Sequence, residues 1–306
     1  MGGRAYGDQT WTWRSRTRLA DGRVSKTLPT SKFLKLYLII FMRIIAKYEN
    51  GSKSYGLHIP NISDNDVAFL FLHTDISKII GLEQQNHENK MTDSIDSVGY
   101  ELRHFLNLLR KGNVQCLEML HNTIWLEKTK EFDLIQKNKE KFLDSKTIYN
   151  CFKGYSYSER NLIFGRAHLG RIGEKRKNAI LEYGYSYRNA SHCFRLLRTA
   201  IIFFNENYFP INIVEKDKVY GFLVKDIKIN PQNHKPENLE KQLIELEKEL
   251  DESYKNRKIT YRYNNEVANQ ICYDLYFDIL EKHKSTPKEI YLRNCYGFFM
   301  NEENIC

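Results

Sequence analysis

The chain has 306 residues, 42% hydrophobic and 28% charged, enough for a sizeable core in one large or two modest domains. Its formal net charge of +9 is unevenly placed: residues 1–40 hold eight Lys/Arg against two Asp, a local +6, so the remainder is nearly balanced and its pI is no argument for nucleic-acid binding. The apolar run Leu36–Ala46 is broken by Arg43 and is far shorter than the ~20 residues of a membrane span. Six cysteines show no C-x-x-C pair, which fits reduced thiols in a cytoplasm; His and Cys never cluster at zinc-ligand spacing.

In chain order, residues 1–32 are rich in Gly, Arg, Ser and Thr and carry no apolar period. We read 1–41 as a disordered or extraneous segment, with a basic RNA-binding arm as the alternative reading, and expect the fold to begin near Met42. Arg43–Tyr48 predicts a buried strand, and Ser52 or Ser54 a cap for a short helix through Leu57. Asp64–Leu72 predicts a second strand, on which Asp64 and Asp66 point to one face. Two carboxylates aimed at one spot repel unless a cation lies between them, and oxygen-rich sites suit Mg²⁺ or Mn²⁺. The Gly51-Ser52 turn offers backbone N–H groups and a hydroxyl for phosphate.

Apolar residues at 102, 105, 106 and 109 predict an amphipathic helix over 100–110, ended at Gly112, and a second begins at Val114. Residues 131–146 are charged and predict a surface helix or linker. Over 184–204, Cys193, Leu197, Ala200, Ile201 and Phe204 share one helical face, with Arg188, His192 and Arg195 opposite. The charged helix 237–256 carries Leu239, Leu243, Leu246 and Leu250 on one stripe, which predicts a hairpin with 267–283.

The run GSKSYGLHIPNISDND, residues 51–66, resembles the signature of nucleotidyltransferases of the DNA polymerase beta superfamily, in a bacterial and phage branch with members linked to RNA repair. The resemblance covers roughly 42–215. It implies a third acid on a neighbouring strand. Asp75, Asp93 and Asp96 are candidates, and Asp96, followed by Tyr100-Glu101-Leu102, matches the family pattern. It also matches Arg188, Ala190, His192, Arg195, Leu196 and Leu197 to a helix that holds triphosphate or RNA backbone. Val114 stands where the family has Pro, and Val67-Ala68 where Arg-Gly is common.

The resemblance thus implies an α+β fold, with a small mixed β-sheet core over 42–130 followed by a mostly helical domain over 131–306. It implies two Mg²⁺ or Mn²⁺ ions on Asp64, Asp66 and Asp96. Nucleoside triphosphate is the implied substrate, bound by Gly51, Ser52, Arg188, His192 and Arg195. An RNA 3′ end is the first acceptor. Nucleotidylation of a protein side chain, or an inactive nucleotide- or RNA-binding module, is the alternative.

Overall fold

The computed structural model describes residues 42–60, 63–81, 85–91, 96–166 and 173–284; the expectations for 1–41 and the candidate Asp93 lie outside them. Five strands form one mixed sheet: β1 (Met42–Asn50), β2 (Asp66–His73), β3 (His87–Met91), β4 (Asp96–Glu101) and β5 (Glu127–Lys128). Their order is β3-β4-β2-β1-β5. Only β2 and β4 pair in parallel; the other pairings are antiparallel. In β2 the run Ala68–Leu72 is buried on both faces, as a central strand covered on two sides requires. A bulge in β1 between Ile44 and Ala46 breaks the alternation, so Ile45 and Ala46 are buried in succession. Asp66 and Asp96 therefore lie at the starts of two interior strands.

Helices frame this sheet. α1 (Ile76–Ile80) is capped by Asp75, whose carboxylate accepts from the Ser77 N–H. α2 (Leu102–Arg110) buries Leu102, Phe105, Leu106 and Leu109, the predicted stripe, and starts two residues later than predicted because Tyr100 and Glu101 finish β4. The carboxylate of Glu101 caps α2 by accepting from the His104 N–H. Asn113 caps α3 (Val114–His121) by accepting from the Cys116 N–H. α4 (Lys130–Lys137) tucks Phe132 and Ile135 into the core, so this charged segment is a packed helix.

Then come α5 (Ser145–Ile163), α6 (Glu174–Tyr183), α7 (Tyr187–Glu206), α8 (Ile213–Lys216), α9 (Lys218–Ile229), α10 (Pro236–Lys255) and α11 (Asn265–Lys284). The fold is α+β: a small mixed sheet followed by a mostly helical C-terminal part. The predicted face of α7 is buried, but so are Arg195, Thr199, Ile202 and Phe203 on its other sides. It is the central helix, with α5, α9 and α10 packed around it. The leucine stripe of α10 packs on α7 and α5, not in a hairpin with α11. Helix α11 turns back onto α2 instead, where the Tyr276 hydroxyl donates to the buried Glu101 carboxylate and Arg103 lies over the Tyr276 ring. A single hydrophobic cluster runs from Ile45 to Ile279. Among the described residues no helix is long and apolar enough to cross a membrane.

Candidate active site

β1 ends at Asn50, whose register partner is Asp66. The chain then turns at Gly51 with φ of +66°, and a Cβ built there would sit 2.3 Å from Asp66 Oδ2. Both the left-handed backbone and the close carboxylate demand glycine. The predicted helix is absent: residues 51–56 form a turn, with the Ser54 hydroxyl donating to the Gly51 carbonyl and the Leu57 N–H to the Ser52 carbonyl. Gly51 and Ser52 face a cavity of about 600 Å³.

The same cavity receives all three candidate acids. Asp66 and Asp96 are the first residues of β2 and β4 and are direct neighbours in the parallel register. Asp64 precedes β2 rather than lying on it, but the pairing reaches back that way: the Asp96 N–H donates to the Asn65 carbonyl. The Asp66 carboxyl has its pKa raised by burial, then by the charges of Asp64 and Asp96, with Lys228 opposing. Of the other candidates for a third acid, Asp75 is occupied as the cap of α1.

Helix α7 forms the facing wall with Arg188, Ser191, His192 and Arg195. Of these, Arg188 is an exposed cation. Arg195 lines the cavity but is not the solvent-exposed cation that its place opposite the apolar face suggested. Its side chain is 1% exposed and ion-paired at 2.8 Å to Glu118, itself 2% exposed. The guanidinium lies 3.5 Å from the centroid of the Tyr55 ring, whose hydroxyl donates to the other Glu118 oxygen. Nη2 of Arg195 lies 3.4 Å from His192 Nδ1. A guanidinium only donates, so Nδ1 accepts and the neutral ring carries its proton on Nε2. Burial, and secondarily the Arg195 charge, push the His192 pKa down to about 3. It is therefore a neutral donor at pH 7, not part of a positive stripe.

His121, stacked on Phe209 with Nδ1 at the Leu117 carbonyl, is also neutral, with a pKa lowered to about 4 by burial. Both folded values lie below the ordinary 6.5 of histidine. Between those values the unfolded chain binds protons that the folded chain refuses. Their stabilisation is thus complete above pH ~6.5 and lost as pH falls from there toward 4 and 3. Melting temperature should drop between pH 7 and 5, by ~1.4 kcal/mol of stability per pH unit per histidine at the steepest. His121→Gln and His192→Gln should each flatten that slope. A slope unchanged in both variants would contradict the buried, neutral assignment.

The sequence did not mark Lys228 of α9. Its ammonium enters the cavity, donates to the Ser63 hydroxyl at 2.9 Å, and feels the charges of Arg188, Asp64 and Asp66. Burial and Arg188 lower its pKa. Tyr55 and Gln115 also line the cavity, and the Tyr100 hydroxyl holds Gln115 through its side-chain oxygen. Among the described residues no three His, Cys, Asp or Glu side chains form a ready cage for a metal ion. The donor set nevertheless suits a hard cation that brings ligands of its own, since Mg²⁺ commonly binds one or two carboxylates together with substrate phosphates.

Residues 31–205 match the model of the RNA repair pathway DNA polymerase beta family. The chain belongs to that family. No curated protein matches it. A solved nucleotidyltransferase-like protein from Exiguobacterium sibiricum 255-15 is similar at 12% identity, over 81% of this chain and 79% of that one, with a TM-score of 0.26. The assignment rests on the family match. One departure from the family pattern is structurally quiet, and the other lies in the cavity. Val114 occupies the first position of α3, where proline's missing N–H is no loss and valine fits as well. Val67 lines the cavity beside Asp66, and Ala68 is buried in the sheet.

Proposed function

We propose that the protein transfers a nucleoside monophosphate from a nucleoside triphosphate to the 3′ hydroxyl of an RNA end, without a template, and releases pyrophosphate. One observation carries this reading: Asp66 and Asp96, at the starts of paired strands, and Asp64, just before them, share one cavity with Arg188 and Lys228. The acceptor oxygen attacks the α-phosphorus, a bond forms between them, and the bond from that phosphorus to the bridging oxygen breaks. The hydroxyl proton passes to Asp96. Gly51 and Ser52 hold phosphate oxygens with the backbone N–H groups and hydroxyl of the turn. Arg188 neutralises phosphate charge, and His192 donates from Nε2. Arg195 acts through His192 and Tyr55, which it holds in place. Two divalent ions, Mg²⁺ or Mn²⁺, on Asp64, Asp66 and Asp96 would supply the positive charge that steadies attacking and leaving oxygens.

The division near residue 130 is, on this reading, one of labour. Residues 42–130 contribute the acids and the phosphate turn; residues 131–306 contribute the cations. The RNA repair description of the family favours RNA over a protein acceptor. Nucleotide labelled in the α-phosphate separates the two. The label should appear in RNA with an intact 3′ diol and not in periodate-oxidised RNA. Labelling of lysate protein alone would move the acceptor to a side chain, and labelling of neither would leave a binding module.

A further inference from the structure

Lys228 lies beyond the segment that the family pattern matches. It sits one residue from the end of α9 (Lys218–Ile229), and its partner Ser63 is 165 positions away, immediately before Asp64. The cavity it enters is shared with Asp64, Asp66 and Asp96, yet its ammonium is tethered to the Ser63 hydroxyl. A lysine is a compact charge on a four-carbon stem with three donors, so it can change partners without moving its helix. The acids do not converge into an ion cage of their own among the described residues.

We infer that Lys228 is the resident counter-cation of the carboxylate cluster, and that it makes divalent-metal binding depend on nucleotide. This rests on the nucleotidyl-transfer reading of the cavity. With the cavity empty, the ammonium offsets the charge of Asp64 and Asp66 and competes with an incoming cation. Phosphate oxygens on the Arg188 side give the ammonium a new partner, since Arg188 and Lys228 are neighbours on that wall. The acids are then left to a metal that the same phosphates help to ligate.

Binding of Mn²⁺ to the full chain, followed by its paramagnetic resonance signal, tests this with and without a non-hydrolysable nucleoside triphosphate analogue. The parent should bind Mn²⁺ at least tenfold more tightly with the analogue than without. Lys228→Met removes the competing charge, and a like charge sharing a partly buried site weakens cation binding by ~10-fold or more. That variant should bind Mn²⁺ about tenfold more tightly than the parent in the absence of nucleotide. It should also gain less when the analogue is added. Lys228→Arg keeps the charge and should behave like the parent, which guards against a folding artefact in the methionine variant. If Lys228→Met and the parent bind Mn²⁺ equally without nucleotide, while both tighten with it, Lys228 is not the counter-cation and the reading of the site stands. If the parent fails to bind Mn²⁺ under either condition, both fall together.

Discussion

Asp66→Asn should lower turnover by ~100-fold or more, the usual cost of removing a strong electrostatic element from a reacting centre, while the metal-free melting temperature holds or rises. The two effects diverge because the same charge plays opposite parts in the two states. In the empty site, burial and the charges of Asp64 and Asp96 already raise the Asp66 pKa, so its ionised form is disfavoured by the fold. Asparagine keeps the size and removes that repulsion. In the loaded site the lost charge is one that cations and the developing phosphoryl charge depend on. Added Mg²⁺ and nucleotide should therefore raise the melting temperature of the parent more than that of the variant, because ligands that bind only the folded state stabilise it by mass action. Asp64→Asn and Asp96→Asn should behave alike, and the three losses should not add, since the groups act as one unit. Comparison of Asp96→Asn with Asp93→Asn decides the third acid. Activity lost only in the latter would shift the assignment by three residues.

Arg195→Ala should destabilise the fold by ~3–5 kcal/mol, the cost of leaving a buried partner charge uncompensated. The stranded group is Glu118, whose carboxylate would keep only the Tyr55 hydroxyl. The packing of the guanidinium on the Tyr55 ring is lost as well. Glu118→Ala should cost a similar amount from the other side. Replacing both, as Glu118→Leu with Arg195→Met, should recover most of the loss, because a buried pair exchanged for apolar groups of similar volume is often neutral. Denaturant unfolding of the four proteins measures this. A loss below ~1 kcal/mol in both single variants would mean that the pair is solvated or remade by neighbours.

The first two strands and the meeting of Asp64 and Asp66 at one cavity were legible because their determinants are local, whereas β3 and β5 were not predicted. Asp64 and Asp66 sit two apart beside a Gly-Ser turn, and β2 continues as an unbroken apolar run. The starts of α2 and α3 were nearly so, since their caps, Glu101 and Asn113, are adjacent in sequence to the helices they begin. What failed was everything decided by distant partners. The helical wheel placed Arg195 opposite the apolar face of α7 and so toward solvent, but around Arg195 the helix is packed on both faces. Its partner Glu118 is 77 positions away and reads locally as one more charge on a helix. The leucine stripe of α10 was visible, but which helices it would meet was not. The stripe met α7 and α5, leaving α11 to find Glu101 through Tyr276. Lys228 gave no local signal, because only the return of α9 to the Ser63 loop brings it to the acids.

On the proposed reading, Asp64, Asp66 and Asp96 form a nucleotidyl-transfer centre. The most direct measurement runs two labelled nucleoside triphosphates side by side, one labelled in the α-phosphate and one in the γ-phosphate, with RNA and Mg²⁺ or Mn²⁺. The parent should place the α label in the RNA and release the γ label as pyrophosphate, and Asp66→Asn should do neither at more than ~1% of that rate. Transfer of the γ label to the RNA, or α-label transfer by Asp66→Asn at the parent rate, would contradict it.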